Sequence, residues 1–183
     1  TTTELNLTDF FKSNKMDYKL VTFEKNEEAL AAFQDGRCDA YSTDQSGLYS
    51  QRLKMKTPDD NLVLPEIISK EPLGPVVRQG DDAWFNVVKW TYFALVNAEE
   101  LGITQKNVDE TIKTTANPEV KRLLGVPDAD GVAAGFGIGL GLDDAWAANA
   151  IKAVGNYGEI FDRNVGEGSP LKIARGKNAL WKD

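Results

Sequence analysis

Gly36-Arg37-Cys38-Asp39-Ala40-Tyr41-Ser42-Thr43-Asp44-Gln45-Ser46-Gly47-Leu48-Tyr49-Ser50-Gln51-Arg52 is the stretch on which the reading of the fold turns. Cys38 to Thr43 can run as a short strand, with Cys38, Ala40 and Ser42 on one side and Asp39, Tyr41 and Thr43 on the other. Asp44 then stands where strand gives way to a helix covering roughly Gln45 to Leu53. Two readings of Asp44 stay open. It can cap the helix after it, since Asp is a favoured N-cap. It can also be a binding group, because a carboxylate at the C-terminal edge of a parallel strand faces the crevice where open α/β sheets hold ligands.

On either side of this stretch the same rhythm continues. Thr1 to Glu4 reads as a helix start, and Leu5, Leu7, Phe10 and Phe11 give an amphipathic helix ending near Ser13-Asn14. Tyr18 to Phe23 is rich in β-formers and predicts a strand. Asn26 to Gln34 predicts a helix capped by Asn26, with Glu27 and Glu28 in its first turn and Gly36 ending it. Such β-α-β-α alternation argues for a parallel sheet covered by helices, an α/β architecture. From Leu62 to Gln79 the chain is broken by Pro65, Pro72 and Pro75, a density that disfavours helix and central strand alike. This segment reads as extended chain leaving one lobe and entering another.

Asp81 to Ala98 is the clearest helix. Asp81 and Asp82 suit its N-terminus, and Trp84, Val87, Val88, Tyr92, Leu95 and Val96 line one face. Phe85, Trp90 and Phe93 make the opposite face apolar too, so the helix is expected to pack on two sides, its aromatics being core rather than a ligand box. Beyond Gly102 the pattern is helical but broken, with a helix from about Thr104 to Thr114. Another starts at Asn117-Pro118 and is stopped by Gly125. Gly131 to Leu142 alternates glycine with apolar residues but fails as a dinucleotide or phosphate loop: its register breaks at Leu140, Leu142 or Asp144, and no Lys-Ser/Thr comes after it. It reads as a loop leading into a helix from Asp144 to Tyr157, capped near Asp143. The tail to Asp183 reads mostly as loop with a short basic stretch.

Composition excludes several chemistries. The 183 residues allow one domain or two small ones. A domain of that size buries roughly 70% of its unfolded surface. The 42% hydrophobic and 27% charged content is ordinary for a globular protein. A net charge of −7 argues against nucleic acid or an anionic membrane as the main partner. Histidine is absent, which removes Ser-His-Asp and Cys-His catalysis and imidazole metal sites. No metal or cofactor is expected. Nothing approaches the ~18 consecutive apolar residues of a membrane span, and no charged-then-apolar leader is visible at the start. Cys38 is the one cysteine; by itself it reads as a small buried hydrophobe.

The run from Phe23 to Ala40, with its helix, acidic residue and Gly-Arg-Cys-Asp-Ala, resembles the second lobe of periplasmic binding proteins of amino-acid ABC transporters. More narrowly it resembles the general L-amino-acid binding proteins, which carry a similar C-terminal Gly-Leu-Gly-Leu-Asp-Asp-Ala-Trp run, here Gly139 to Trp146. The resemblance covers nearly the whole chain. It implies a type II periplasmic binding protein fold of two lobes, present here incompletely. Residues 1–72 would be a second-lobe α/β segment without its first strand, and residues 73–183 the return crossover and C-terminal helical part of the first lobe.

The same resemblance implies a ligand site. Asp44, in the family's Thr-Asp position, would grip the ligand's α-ammonium. Thr2 falls closest to the position that meets the α-carboxylate, with Thr1 and Thr3 as one-residue slips. A helix N-terminus suits that carboxylate, because free N–H groups and the dipole favour negative charge. The partners implied are an L-amino acid, an inner-membrane ABC permease and the missing N-terminal portion of the same protein or, failing that, a second copy. Cys38 would pair with a cysteine on the missing strand. The compartment would be the periplasm, reached through a signal peptide in the precursor. The other readings are an enzyme on the same two-lobed fold, such as a dehydratase, and the ligand-sensing domain of a receptor. Without histidine an enzyme would need Asp44, Glu4 or Asp39 as its acid or base, and no paired-carboxylate spacing supports that.

Overall fold

The computed structural model describes residues 2–132 and 136–182. Its chain divides into two units, Thr1–Leu73 and Gly74–Asp183.

In the first unit, α1 spans Thr2–Ser13, α2 Asn26–Gln34 and α3 Gln45–Arg52. Leu30 and Ala32 of α2 are its buried apolar residues among those described. The chain leaves α2 by a left-handed glycine, Gly36 at φ +70°, which lets Arg37 N–H return to the Ala32 carbonyl at 2.9 Å. That closure satisfies a carbonyl the helix would otherwise orphan. The helix begins one residue earlier than the expected cap requires. Lys25 holds the N-cap position in extended conformation, and Asn26 is already helical.

The expected strands at Tyr18 to Phe23 and Cys38 to Thr43 are not formed as strands. Among the described residues there is no strand at all. A strand is defined by its ladder, and neither segment's backbone groups bond to a neighbouring extended segment. Leu20 and Val21 are correspondingly exposed. The β-propensity of these segments is local, whereas the partner that turns propensity into a strand is not.

The second unit is a helical cluster. α4 spans Asp82–Glu100, α5 Val108–Thr114, α6 Pro118–Leu124, α7 Trp146–Val154 and α8 Tyr157–Asn164. Asp81 caps α4 by accepting the Trp84 N–H at 3.0 Å. Asn117 caps α6 through the Glu119 N–H at 2.9 Å, and Gly125 ends that helix at φ +68°. α7 lies at the centre and packs on α4, α5 and α6, while α8 also packs on α4. The core joins Leu95, Ala98, Ile103, Val108, Val120, Leu124, Ala148 and Ile151. Ile103, Val108 and Ile151 are fully buried, each stabilising the unit by about 1.5–3 kcal/mol.

Three expectations for this unit need correction. The buried stripe of α4 is Ala94, Leu95 and Ala98, because two alanines let α7 and α8 approach closely. Trp84 and Tyr92, expected on the inner face, are 54% and 43% exposed, and Phe85, Trp90 and Phe93 are exposed as well. Those aromatics are not core in this chain. The expected single helix from Asp144 to Tyr157 is two helices. Gly155 at φ +81° stops α7, and Asn156 opens α8 with a capping box, accepting the Glu159 N–H while Glu159 accepts the Asn156 N–H, both at 2.9 Å. The cap expected at Asp143 is not used either, since Ala145 holds the N-cap of α7 without a side-chain bond. Gly137 serves packing, as a Cβ there would overlap the Asp143 carbonyl. Gly135 of the same run lies outside the described residues.

Candidate functional site

Asp44 occupies the N-cap position of α3, and its main-chain carbonyl accepts the Leu48 N–H at 2.8 Å. The carboxylate does not do what a capping aspartate does. It takes no bond from the first turn of α3, and it is exposed. Among the described residues it has no hydrogen-bond or ion-pair partner. Thr43 is half-buried beside it. A Cβ at Gly47 would come within 3.2 Å of Thr43 Cγ2 and 3.8 Å of Asp44 Cβ, so the glycine keeps the helix start tight against this pair.

Thr2 opens α1 as an exposed first-turn residue, followed by half-buried Thr3. The first-turn N–H groups of such a helix have no partner within it. Thr1 lies outside the described residues. Thr2 and Asp44 thus stand at two helix N-termini of the same unit, and no hydrogen bond joins them. Two cavities among the described residues lie elsewhere, in the second unit. One of about 270 Å³ runs along Val77 to Asp82 and Phe85, and one of about 200 Å³ lies between Tyr92, Tyr157 and Arg175.

The structure also singles out Tyr41, near Asp44 along the chain, a residue whose role the sequence does not disclose. Its hydroxyl is buried with no hydrogen-bond partner among the described residues. Burial pushes the phenol above its usual 10.0, and the Glu27 carboxylate adds to the effect. Three residues before Asp44, a buried unsatisfied hydroxyl is an available donor. Arg52, at the far end of α3, lays its guanidinium over Tyr49 at 5.7 Å. Cys38 is a free, half-buried thiol. No cluster of metal-ligating side chains is present among the described residues, and none of their helices is long and apolar enough to cross a membrane.

No protein-family model matches the chain. Individual proteins do. It is 63% identical over 181 residues to the general L-amino acid-binding periplasmic protein AapJ of Rhizobium johnstonii, covering 99% of this chain and 52% of that protein. It is 50% identical over 181 residues to the glutamate/glutamine/aspartate/asparagine-binding protein BztA of Rhodobacter capsulatus, again covering 52% of the relative. Among solved structures, an ABC transporter periplasmic binding protein from Brucella ovis with glutathione bound superposes with a TM-score of 0.90 at 60% identity. The match covers 100% of this chain and 55% of that one. The chain therefore spans about half the length of the curated relatives it matches. Its fold is that of a periplasmic binding protein over the shared part. Within that class the chain is similar to binding proteins of amino-acid ABC transporters, AapJ and the Brucella ovis protein being periplasmic by name.

Proposed function

We propose that the polypeptide containing this chain captures an L-amino acid between two lobes and delivers it to an inner-membrane ABC permease. In this reading the first unit belongs to the second lobe, and the second unit to the first. Asp44 receives the α-ammonium, and the N–H groups and hydroxyls of Thr2 or Thr3 meet the α-carboxylate, with Thr1 as the adjoining slip. The observation that carries the reading is the Asp44 carboxylate, which stands at a helix start without capping it and without a partner among the described residues. A zwitterion must exchange its hydration for matched charges, and a carboxylate facing an ammonium is one half of that match. The protein transports its ligand unaltered and is not an enzyme. Glutathione fits the same partners, because its γ-glutamyl end carries a free α-ammonium and α-carboxylate.

The complete gene product tests this by calorimetric titration with glutamate, asparagine, leucine and glutathione, followed by recovery of the ligand. Asp44→Asn keeps shape and removes charge, and should weaken every bound ligand by roughly 2–5 kcal/mol. Unchanged affinity would reduce Asp44 to a helix start; a chemically altered ligand would favour the enzyme. The rest of the polypeptide would also cover the bare extended segments and the aromatic face of α4. The 183-residue chain alone should then self-associate or retain a companion peptide. A monomer of 20.1 kDa with a cooperative melt would overturn that part.

A further inference from the structure

The C-terminal segment returns to the helices through the Ile173 N–H, which donates to the Val165 carbonyl at 2.9 Å, and through the side chain of Arg175. Arg175 Nη1 and Nη2 donate to Glu99 Oε1 and Oε2 at 2.8 and 3.1 Å, a fork-to-fork pair. The guanidinium lies 5.3 Å from the Tyr157 ring centre and 5.1 Å from that of Phe161. The two side chains are only 26% and 14% exposed. Arg175 Nε and Nη2 also donate to the Asn178 carbonyl, at 3.0 and 2.6 Å, closing the short 3-10 turn Gly176–Asn178.

The receiving side belongs to elements that do not need the tail. Glu99 is on α4, and Tyr157 and Phe161 are on α8, which has its own capping box and packs on α4. Tyr157 is further set by an edge-to-face contact with Tyr92 at 5.9 Å. Gly158 makes room: a Cβ there would overlap Glu99 Oε1 and lie 2.9 Å from Arg175 Nη1. A largely desolvated carboxylate whose bound cation lies over two aromatic rings is a receptor for a planar cation. Without one the Glu99 carboxylate loses its charged partner.

We propose that Glu99, Tyr157, Phe161 and Gly158 form a built guanidinium-binding cage, with Arg175 as its tethered ligand, so that residues 174–180, beyond the Ile173–Val165 main-chain bond, are a latch whose docking is controlled by that side chain. The cage selects a guanidinium over an ammonium, because only the planar fork meets both Glu99 oxygens while stacking on the rings.

The test uses the complete gene product and reads the latch and the cage separately. Trypsin cleavage after Lys177, followed by mass spectrometry, reports release of the segment. Thermal melting reports filling of the cage. Arg175→Ala should speed tail cleavage about tenfold or more, the factor such charged hydrogen bonds represent, and should lower the melting temperature. Methylguanidinium chloride, against sodium chloride of equal ionic strength, should raise the melting temperature of Arg175→Ala while tail cleavage stays fast. The rise should vanish when Glu99→Gln is added. Arg175→Lys keeps the charge without the fork and should leave the tail labile, which serves if the alanine variant does not fold. Tail cleavage unchanged in Arg175→Lys, no methylguanidinium effect, or an equal effect without Glu99 would each overturn the proposal.

Discussion

Replacing Asn156 by alanine should remove two bonds, one that caps α8 and one that ties it to the distant Ile103 carbonyl. The residue is 5% exposed. Its Oδ1 accepts the Glu159 N–H at 2.9 Å, and its Nδ2 donates to the Ile103 carbonyl at 2.8 Å, 53 residues away. Loss of the N-cap costs about 1 kcal/mol. Leaving the Ile103 carbonyl unsatisfied beside a fully buried side chain costs a further ~1–3 kcal/mol. Asn156→Ala should thus lower stability by about 2–4 kcal/mol. For a unit near this size that corresponds to a fall in melting temperature of roughly 10–30 °C. Asn156→Ser can still cap but cannot reach Ile103, so it should lose only the second part. Thermal unfolding followed by helical circular dichroism gives the size of the effect. Hydrogen exchange of peptides around Ile103 and in α8 gives its location. An alanine variant within about 0.5 kcal/mol of the parent would refute the reasoning, since neither bond would then matter.

Gly125→Ala should destabilise by more than the ~1–2 kcal/mol of a left-handed alanine, because the new Cβ would also overlap the Asp144 backbone carbonyl; denaturant titration measures it. Tyr157 predicts a fall in stability at alkaline pH. Burial raises its phenol above 10.0, Tyr92 and Glu99 add to the rise, and Arg175 opposes it. A folded value above the unfolded one gives stability that is present below about pH 10 and lost as pH climbs through the folded value. Tyr157→Phe should remove that part of the alkaline slope, and an unchanged slope would place its origin elsewhere. Cys38 is a free, half-buried thiol in this chain, and should label quickly with a thiol reagent under native conditions. In the complete gene product purified without reductant, the family resemblance predicts that it is paired and unreactive. Slow labelling of the 183-residue chain until denaturation would show burial instead.

Helix ends were legible at α4 and α6, where local capping chemistry sets them, but not at α2 and α7, whose expected caps Asn26 and Asp143 are not used. Asn117-Pro118 and Gly125 bracket α6 because cap, dihedral and missing N–H act within a turn of themselves. The same local signal was present at Asn156 and Glu159 and would have found α8; it was masked by the apolar run through Ile151 and Val154, which reads as one helix until Gly155 is given its weight. Strands were not legible in this sense. Tyr18 to Phe23 has the right side chains, but a ladder needs a second segment that no property of the first supplies. The candidate site divides similarly. Asp44 could be picked out by position, whereas its freedom from capping and the buried hydroxyl of Tyr41 are facts of three-dimensional packing. Glu99 and Arg175 lie 76 residues apart, and nothing in either neighbourhood announces the other.

The central place of α7 has a consequence during synthesis. Leu95, Ala98, Val108, Val120 and Leu124 share one core with Ala148 and Ile151, so the earlier helices leave the ribosome before the element on which they close. At about 5–20 residues per second that interval is on the order of seconds, far longer than a helix needs to form. Throughout it α4 is complete and its aromatic run, Trp84 to Phe93, stands in water with neither face covered. The nascent chain is therefore most open to holding factors and to faulty association between the emergence of α4 and that of α7, and a pause in translation within that interval would prolong its exposure.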